Sequence, residues 1–274
     1  MASFTTDQAE GLRRMLAGPK PRIISVVSAL GAEEKSSTLV NLAASLARTG
    51  SNVLLLDACS ASNGLAQRLG AARVATLMQV ARQERGLNEV VQMLPQGFGV
   101  ATLTRENMRS AMQDIDQARR LANAFGVLAT QSDITLVDAE LDADDAFPLP
   151  AMQRGEIVVQ VSSSGSSITA AYAIIKRLSA QLGRRPFGIL VTGASEREAQ
   201  QVFANMAQAA SRYLALELTA MGSVPVDADL RRATQLGRSV IDAFPMALAS
   251  VAFRRLAGHF ANTDAGAMRM PGFA

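Results

Sequence analysis

The sequence predicts an α/β fold in which a mostly parallel sheet carries helices on both faces, with one short helix appended at the N-terminus. Short apolar runs alternate along the chain with helical patterns of ten or more residues, which is typical of strands and crossover helices in a parallel sheet. Residues 22–260 contain no repeat, low-complexity segment or internal linker. They are therefore expected to form one domain.

The predicted strands are short apolar runs. Ile23, Ile24, Val26 and Val27 make the first run almost continuous, and the second, NVLLLD, ends on Asp57. Strands are predicted at residues 22–28, 52–57, 99–103, 133–138, 156–161, 187–192 and 220–224. Helices are predicted at residues 37–48, 65–69, 74–83, 106–124, 168–182, 196–216, 229–236 and 247–260. In an open α/β sheet, binding residues follow the carboxyl ends of the strands.

A separate short helix is predicted at residues 5–16, with Thr6 or Asp7 as its N-cap. Its apolar residues fall at helical spacing on one face: Ala9, Leu12, Met15 and Leu16. The Gly-Pro-Lys-Pro run at 18–21 then breaks the chain. The expected organisation is an appended helix at 1–18, a main domain at 22–260 and a flexible tail at 261–274.

Composition excludes several classes of function. The chain has 274 residues, 49% of them hydrophobic and 19% charged, and a net charge of +3. One cysteine and one histidine leave no disulfide framework, no Cys/His zinc site and no Ser–His or Cys–His catalytic arrangement. Lys and Arg form scattered pairs without a tract, so direct nucleic-acid binding is not expected. No signal peptide or spanning segment is visible, so a cytoplasmic location is expected.

The stretch SALGAEEKSST at 28–38 lies where a phosphate-binding loop would stand, between the first strand and the first helix. The pattern G-x-x-x-x-G-K-[ST] fits with Lys35 and Ser36 in place, but Ala29 and Glu34 replace its two glycines. A glutamate about 4 Å from phosphate would add roughly 4 kcal/mol of repulsion per unit charge. The stretch also fits a plain helix start, because acids in a first turn favour the helix dipole.

Two strand-end aspartates favour a site instead. Asp57 and Asp138 each close an apolar strand, and a carboxylate at the second position could order Mg²⁺ or its water. The alternative is that each acid faces solvent or caps a following helix. The residues alone leave both interpretations open.

The order of these segments resembles the MinD/ParA class of deviant-Walker P-loop ATPases, and within it the FlhG/FleN flagellar number regulators. The resemblance covers about residues 6–260. DQAEGLRR at 7–14 is similar to that family's N-terminal element, and VPVD at 224–227 is similar to its late V-P-x-D motif. SSITAAYAIIKRL at 166–178 is similar to the helix that follows the fourth main strand.

Against the family pattern, the loop region departs at its functional positions. The signature lysine falls on Leu30, the catalytic aspartate on Cys59 and the adenine-side asparagine near Thr192, while Gly31 alone survives of the loop glycines. The resemblance therefore implies an ATPase scaffold without ATP turnover and with weak or absent ATP binding. The residual ATP site that it implies consists of Gly31, Lys35, Ser36, Ser37, Asp57, Asp138, Thr192 and Pro225. If a nucleotide binds, Mg²⁺ is expected to use Ser36, Asp57 and Asp138.

The resemblance also implies a partner, an FlhF-type GTPase. The residues that would engage it are Asp7, Gln8, Ala9, Leu12 and Arg13. A glutamine orients the attacking water in several GTPases, and Gln8 could be presented to the partner's site in this way. The alternative is that the N-terminal helix packs on its own domain. Flagellar switch proteins and transcription regulators are further candidate partners.

The main rival hypothesis is an active, divergent MinD-like ATPase with ATP-dependent dimerisation and membrane association. A third possibility is a septum-type or polysaccharide-type relative with another client. In the first hypothesis the chain is a monomer or an ATP-independent dimer. Residues 251–260 are only modestly amphipathic, so contact with the inner face of the plasma membrane is expected to be weak at most.

Overall fold

The centre of the fold is an eight-stranded sheet. The computed structural model describes residues 21–59, 64–71, 74–106, 108 and 112–262. The strands are β1 (Arg22–Ser28), β2 (Val53–Asp57), β3 (Gln92–Met93), β4 (Gly99–Thr102), β5 (Ile134–Asp138), β6 (Glu156–Val161), β7 (Phe187–Thr192) and β8 (Leu218–Val224). Their order is β3-β4-β2-β5-β1-β6-β7-β8. All neighbouring strands are parallel except the β3–β4 pair, which is antiparallel.

Helices cover both faces of this sheet, which confirms the predicted α/β fold. They are α1 (Ala32–Arg48), α2 (Leu65–Arg68), α3 (Leu77–Ala81), α4 (Ile115–Ala129), α5 (Pro150–Arg154), α6 (Gly165–Leu182), α7 (Glu196–Leu214), α8 (Ala228–Gln235), α9 (Val240–Ala243) and α10 (Leu248–Asn262). A 3₁₀ turn lies at Leu87–Glu89. None of the helices in the described ranges is both long and apolar enough to cross a bilayer.

The start of helix α1 differs from the predicted start, and this difference matters most for the site. It begins at Ala32, with Gly31 as its N-cap, and not at Ser37. Glu33 and Glu34 occupy its first turn, where negative charge is favourable beside the unpaired amides of a helix. This stretch therefore forms an ordinary helix start, and the loop between β1 and α1 is short.

Helix α4 differs in its bounds from the helix predicted at 106–124, since it ends at Ala129, and Met108, which is also helical, precedes it. Helix α4 begins at Ile115, because the Asp114 carboxylate accepts hydrogen bonds from the amides of Asp116 and Gln117 and so caps it. Helix α3 is likewise shorter than the predicted 74–83, since Thr76 caps it. Three short elements, β3, α5 and α9, were not predicted, because each has too few residues to show a periodic pattern.

The core has two parts, one on each face of the sheet. On one face α1, α2, α8, α9 and α10 pack on the strands, with Leu39, Leu42 and Phe253 among the fully buried side chains. On the other face α3, α4, α5, α6 and α7 pack around side chains such as Phe125 and Phe187. Neither face of the sheet is left to solvent, which explains why its strands read as near-continuous apolar runs.

The register of the sheet places several polar residues side by side at its carboxyl edge. Asp57 of β2 pairs with Asp138 of β5. On the outer side of β2, Asp57 pairs with Thr102 of β4. Residues paired in adjacent strands point to the same face, so these side chains share the face covered by α1.

Strand β8, which lies at the end of the sheet opposite β3, is irregular. Ile189 of β7 pairs with Ala220, but the next residue, Leu190, pairs with Gly222. Met221 is therefore an extra residue in β8, which is a β-bulge, and Gly222 takes the positive φ of 126° that accompanies it.

Candidate functional site

Lys35 lies at the centre of the polar cluster at the carboxyl edge. Its Nζ is 2.6 Å from Asp138 Oδ1, and the two side chains are only 9% and 3% exposed. Nζ also donates to the Ala139 carbonyl at 2.9 Å. Burial alone lowers the pKa of Lys35, but Asp138 and then Cys59 outweigh burial and leave the pKa raised. The ammonium is therefore charged at neutral pH and is held against the end of β5.

Asp57 caps the helix that follows its strand. Its Oδ2 accepts from the Ala66 amide at 2.9 Å, in the first turn of α2, and its Oδ1 accepts from the Cys59 amide at 3.2 Å. Burial raises the pKa of Asp57, while the hydrogen bond from Ala66 opposes that effect. The capping alternative is thus confirmed for Asp57, and both of its oxygens are engaged by backbone.

Gly64 allows this cap to form, and its replacement should disrupt it. A Cβ at Gly64 would lie 2.4 Å from Asp57 Oδ2, closer than real contacts allow. We expect Gly64→Ala to displace the carboxylate and to lower the free energy of unfolding by about 1–2 kcal/mol, the usual cost of a lost cap. Urea denaturation measures this change.

The matched control is Gly126→Ala in α4, where a Cβ would meet nothing within 4 Å. That change should stabilise the protein by roughly 0.5–1 kcal/mol, since alanine is the better helix former. Equal effects at the two positions would contradict the role assigned to Gly64.

Cys59 stands between the lysine and the second aspartate. Its Sγ lies 3.5 Å from Lys35 Nζ and donates to Asp138 Oδ1 at 3.4 Å. Burial, followed by the charge of Asp138, raises the pKa of the thiol far above its usual range, although Lys35 opposes this. The side chain is therefore a neutral thiol, which cannot orient a water molecule as a carboxylate does.

The raised pKa predicts an inert cysteine. Thiolate is the species that reacts with alkylating agents, and its fraction falls tenfold for each pH unit by which the pKa rises. We expect iodoacetamide to modify folded protein at pH 8 roughly a hundredfold or more slowly than urea-unfolded protein. Mass spectrometry of timed samples measures both rates on this single cysteine, and comparable rates would contradict the assignment.

Ligand atoms of Asp57, Cys59 and Asp138 lie within 4.8 Å of one another, so we tested them as a metal site. The Lys35 ammonium already contacts Cys59 and Asp138, and both oxygens of Asp57 are held by amides. A divalent cation would have to displace a buried ammonium from its carboxylate. Ser36, the remaining predicted ligand, is buried beside Lys35 on α1. As folded, this set does not fit Mg²⁺.

Two amides of the loop and first turn of α1 are already bonded within the protein. A phosphate cradle uses free amides that point inward. The Lys35 amide instead donates to the Gly31 carbonyl at 3.1 Å. The Leu30 amide is bonded to Ser28 Oγ at 3.0 Å. The Glu34 carboxylate covers Gly31, since a Cβ on that glycine would lie 2.6 Å from Glu34 Oε2.

The remaining predicted residues lie apart from this cluster. Ser37 faces outward, with its Oγ 3.3 Å from Thr234 Oγ1. Thr192 ends β7 and the half-buried Pro225 follows β8, which places both on neighbouring strands beyond β6. The structure thus brings Lys35, Asp57 and Asp138 together, while Ser36 is buried next to Lys35 on α1. It leaves Ser37, Thr192 and Pro225 elsewhere along the edge.

Gln160 is the residue that the sequence predictions missed. It is fully buried in β6, and its Nε2 donates to Thr38 Oγ1 at 3.0 Å and to Thr192 Oγ1 at 3.1 Å. The amide therefore ties α1 to the end of β7. A glutamine within the otherwise apolar run IVVQV was the available signal, because a buried amide must find partners.

The N-terminal predictions lie outside the described residues. This applies to the helix at 5–16, to the tail beyond 262, and to the expected partner residues Asp7, Gln8, Ala9, Leu12 and Arg13.

Solved structures define the fold. The fold matches the cell division ATPase MinD of Pyrococcus furiosus with a TM-score of 0.66 and 20% identity, over 88% of this chain and 98% of that one. It matches the septum site-determining protein MinD of Pyrococcus horikoshii, complexed with Mg-ADP, with a TM-score of 0.65 and 22% identity, over 88% and 96% of the two chains. The fold is that of the MinD/ParA P-loop ATPases.

A sequence relative then gives the family. The antiactivator FleN of Pseudomonas aeruginosa is 30% identical over 237 residues, which cover 86% of this chain and 85% of FleN. The chain belongs to the FlhG/FleN family of flagellar regulators. No protein-family model matches it.

Proposed function

We propose that this family member regulates flagellar number or placement without hydrolysing ATP, and that it acts on an FlhF-type GTPase through residues 7–14. The observation that carries the first part is the buried ion pair between Lys35 and Asp138, 2.6 Å apart. In a P-loop ATPase the corresponding lysine contacts the β- and γ-phosphates. Here that side chain is engaged by the protein itself.

Three further features support the absence of hydrolysis. Leu30 stands at the signature-lysine position, and Cys59 at that of the catalytic aspartate. The Cys59 thiol is held neutral by burial and by Asp138. Glu33 and Glu34 are both exposed at the start of α1, where they repel phosphate. Each of these changes removes a different contribution to ATP binding or catalysis.

The N-terminal element supports the partner. DQAEGLRR at 7–14 combines a glutamine with an apolar helical face, as a segment that lies in a groove of another protein would. In the partner's site, Gln8 would orient the attacking water, and Leu12 would anchor the helix. The relative FleN is named an antiactivator, which supports an activator protein as a second client.

The second candidate function is an active, divergent ATPase. It is favoured by the contact of Lys35, Asp57 and Asp138 at one edge of the sheet, with Ser36 next to Lys35 in the chain, because these are the residue types that a P-loop site uses. For nucleotide to bind in this case, Lys35 would have to leave Asp138 and the first turn of α1 would have to unwind.

ATP turnover of the purified full chain separates the two functions. We expect no phosphate release above the level of a Lys35→Met variant, and no heat of ATP binding in calorimetry with Mg²⁺. Size-exclusion chromatography should give the same oligomeric state with and without ATP. Turnover that is absent from a folded Lys35→Met variant would refute the non-hydrolysing regulator and support the active ATPase.

The proposed location is the cytoplasm, with at most weak peripheral contact with the inner face of the plasma membrane. Co-sedimentation with anionic lipid vesicles tests the membrane part. We expect most of the protein to stay in the supernatant with or without ATP, and ATP-dependent pelleting would favour the active ATPase.

A further inference from the structure

Exposed apolar side chains lie together where α10 begins. Val226, Met246 and Leu248 are 63%, 88% and 68% exposed. The Asp227 carboxylate accepts a hydrogen bond from the Ala249 amide at 2.8 Å. Val226 and Leu248 directly precede these two bonded residues, and Met246 comes two residues before Leu248. The three therefore occupy neighbouring positions on the surface, which we name the α10 patch.

The packing of α10 within the domain does not need this patch. The helix already buries one side against the sheet and α1 through Phe253, Leu256 and Phe260, which are at most 2% exposed. Single exposed apolar residues are common, but neighbouring ones mark a surface that another molecule covers. The α10 patch is thus a candidate interaction surface.

Two arginines lie beside the α10 patch. Arg254 donates to the Pro245 carbonyl at 2.9 Å, next to Met246. Arg255 follows Leu248 by seven residues, so both lie on one side of the helix. Both arginines are exposed, and within the described ranges neither is paired with a carboxylate. Helix α10 itself contains no acidic residue.

The acids near the patch are bonded within the protein. Residues 225–262 contain three of them, Asp227, Asp229 and Asp242. Asp227 accepts backbone amides, Asp229 pairs with Arg232 at 3.1 Å, and Asp242 pairs with Arg48 at 2.6 Å. The two arginines of α10 are left to an acidic partner.

This combination selects among possible occupants. A second copy of the chain is disfavoured, because a symmetric contact through the patch would bring the arginines of both copies together. An anionic membrane is also disfavoured, since it presents negative charge to Asp227 and Asp229 as well as to the arginines. A helix of another protein can place its acids opposite the arginines alone.

We propose that the α10 patch docks an amphipathic, acidic helix of a client protein. Apolar side chains of that helix cover the three patch residues, and its carboxylates pair with Arg254 and Arg255. Residues three and four apart on a helix share a face, so one short helix can supply both groups. The proposal goes beyond the proposed action on an FlhF-type GTPase and does not depend on it, because it does not use residues 7–14.

Peptide selection tests the chemistry of this partner. A display library of random peptides of about 16 residues, long enough for a helix of about 24 Å, is selected on the folded full chain and counter-selected on Leu248→Asp. We expect the enriched sequences to combine large apolar residues at helical spacing with a net negative charge. Enrichment of neutral or basic sequences, or none that the counter-selection removes, would overturn the proposal.

Fluorescence anisotropy of the best labelled peptide then measures each contact. Met246→Asp and Leu248→Asp should each weaken binding by about tenfold or more. The double variant Arg254→Glu, Arg255→Glu should weaken binding as well, and should bind a peptide with lysine in place of its acids more tightly than the parent does. This reversal of preference reports charge pairing and cannot come from misfolding. A double variant that binds both peptides as the parent does would contradict the pairing.

Matched controls lie on α4, which covers the opposite face of the sheet. Val127 is 52% exposed and the Arg119 side chain is 73% exposed, so Val127→Asp and Arg119→Glu repeat both chemistries away from the patch. They should leave peptide binding unchanged. Two results would assign the patch to another occupant and overturn the proposal. One is pelleting with vesicles of phosphatidylcholine and phosphatidylglycerol that Leu248→Asp abolishes. The other is a dimer that the same variant dissociates.

Discussion

Replacing Lys35 by methionine is expected to lower the free energy of unfolding by about 3–5 kcal/mol, because it strands the Asp138 carboxylate in the interior without its cation. The Lys35 and Asp138 side chains are only 9% and 3% exposed. In a P-loop that binds nucleotide, the lysine contacts the phosphates. Here we expect the loss of the lysine to destabilise the protein without nucleotide, and urea denaturation at pH 7 measures the change in free energy of unfolding.

A double variant distinguishes the loss of the ion pair from general destabilisation. Lys35→Met with Asp138→Asn removes both charges, and the double variant should recover part of the loss, so that the two effects do not add. Lys176 is exposed on α6, and Lys176→Met should change stability by less than about 0.5 kcal/mol. A Lys35→Met variant as stable as the parent would remove the main support for a self-occupied site.

The same pair makes an alkaline prediction. The pKa of Lys35 is raised in the folded chain from its ordinary value of 10.5, since Asp138 and Cys59 together outweigh burial. The stabilisation is therefore complete below pH 10.5 and is lost as the pH rises through the folded pKa. Over that range the stability of the parent should fall more steeply than that of Lys35→Met.

Replacing Gln8 by alanine is expected to abolish most of the stimulation of an FlhF-type GTPase. If Gln8 orients the attacking water, its loss should slow stimulated hydrolysis by on the order of tenfold or more, since residues supplied in trans to GTPases have effects at least this large. Single-turnover GTP hydrolysis with saturating full chain measures the chemical step apart from binding.

The control is Gln201→Ala on α7, an exposed glutamine whose Nε2 donates to Oδ1 of the neighbouring Asn205. It should leave stimulation unchanged. Leu12→Ala should weaken the affinity for the partner more than the maximal rate, because the proposal assigns Leu12 to anchoring the segment and not to the reacting atoms. Full stimulation by Gln8→Ala would show that the segment acts, if at all, without this glutamine.

The sheet could be predicted because its strands carry their own signal. The run from Arg22 to Ser28 was predicted at its observed bounds, since side chains buried on both faces leave an almost unbroken apolar stretch. The start of α4 could not be predicted, because the apolar pattern does not mark the Asp114 cap that sets where this helix begins. Helix propensity does not determine at which residue the helix begins.

The residues of the candidate site could be predicted from the sequence, but their contacts with one another could not. Lys35 and Asp138 were both singled out, but their mutual contact joins residues far apart in sequence and depends on where α1 begins. The pattern K-[ST] says nothing about whether the lysine points to a ligand or to its own sheet. The capping role of Asp57 was visible only as one of two alternatives.

The bulge at Met221 bears on how copies of this protein can meet. Open sheets invite other chains to pair with their outermost strands. At one end of this sheet β3 has two residues, and at the other β8 is kinked by its extra residue. Both borders are therefore poor templates for strand addition. Edge-to-edge polymerisation and amyloid-like growth through these two strands are disfavoured.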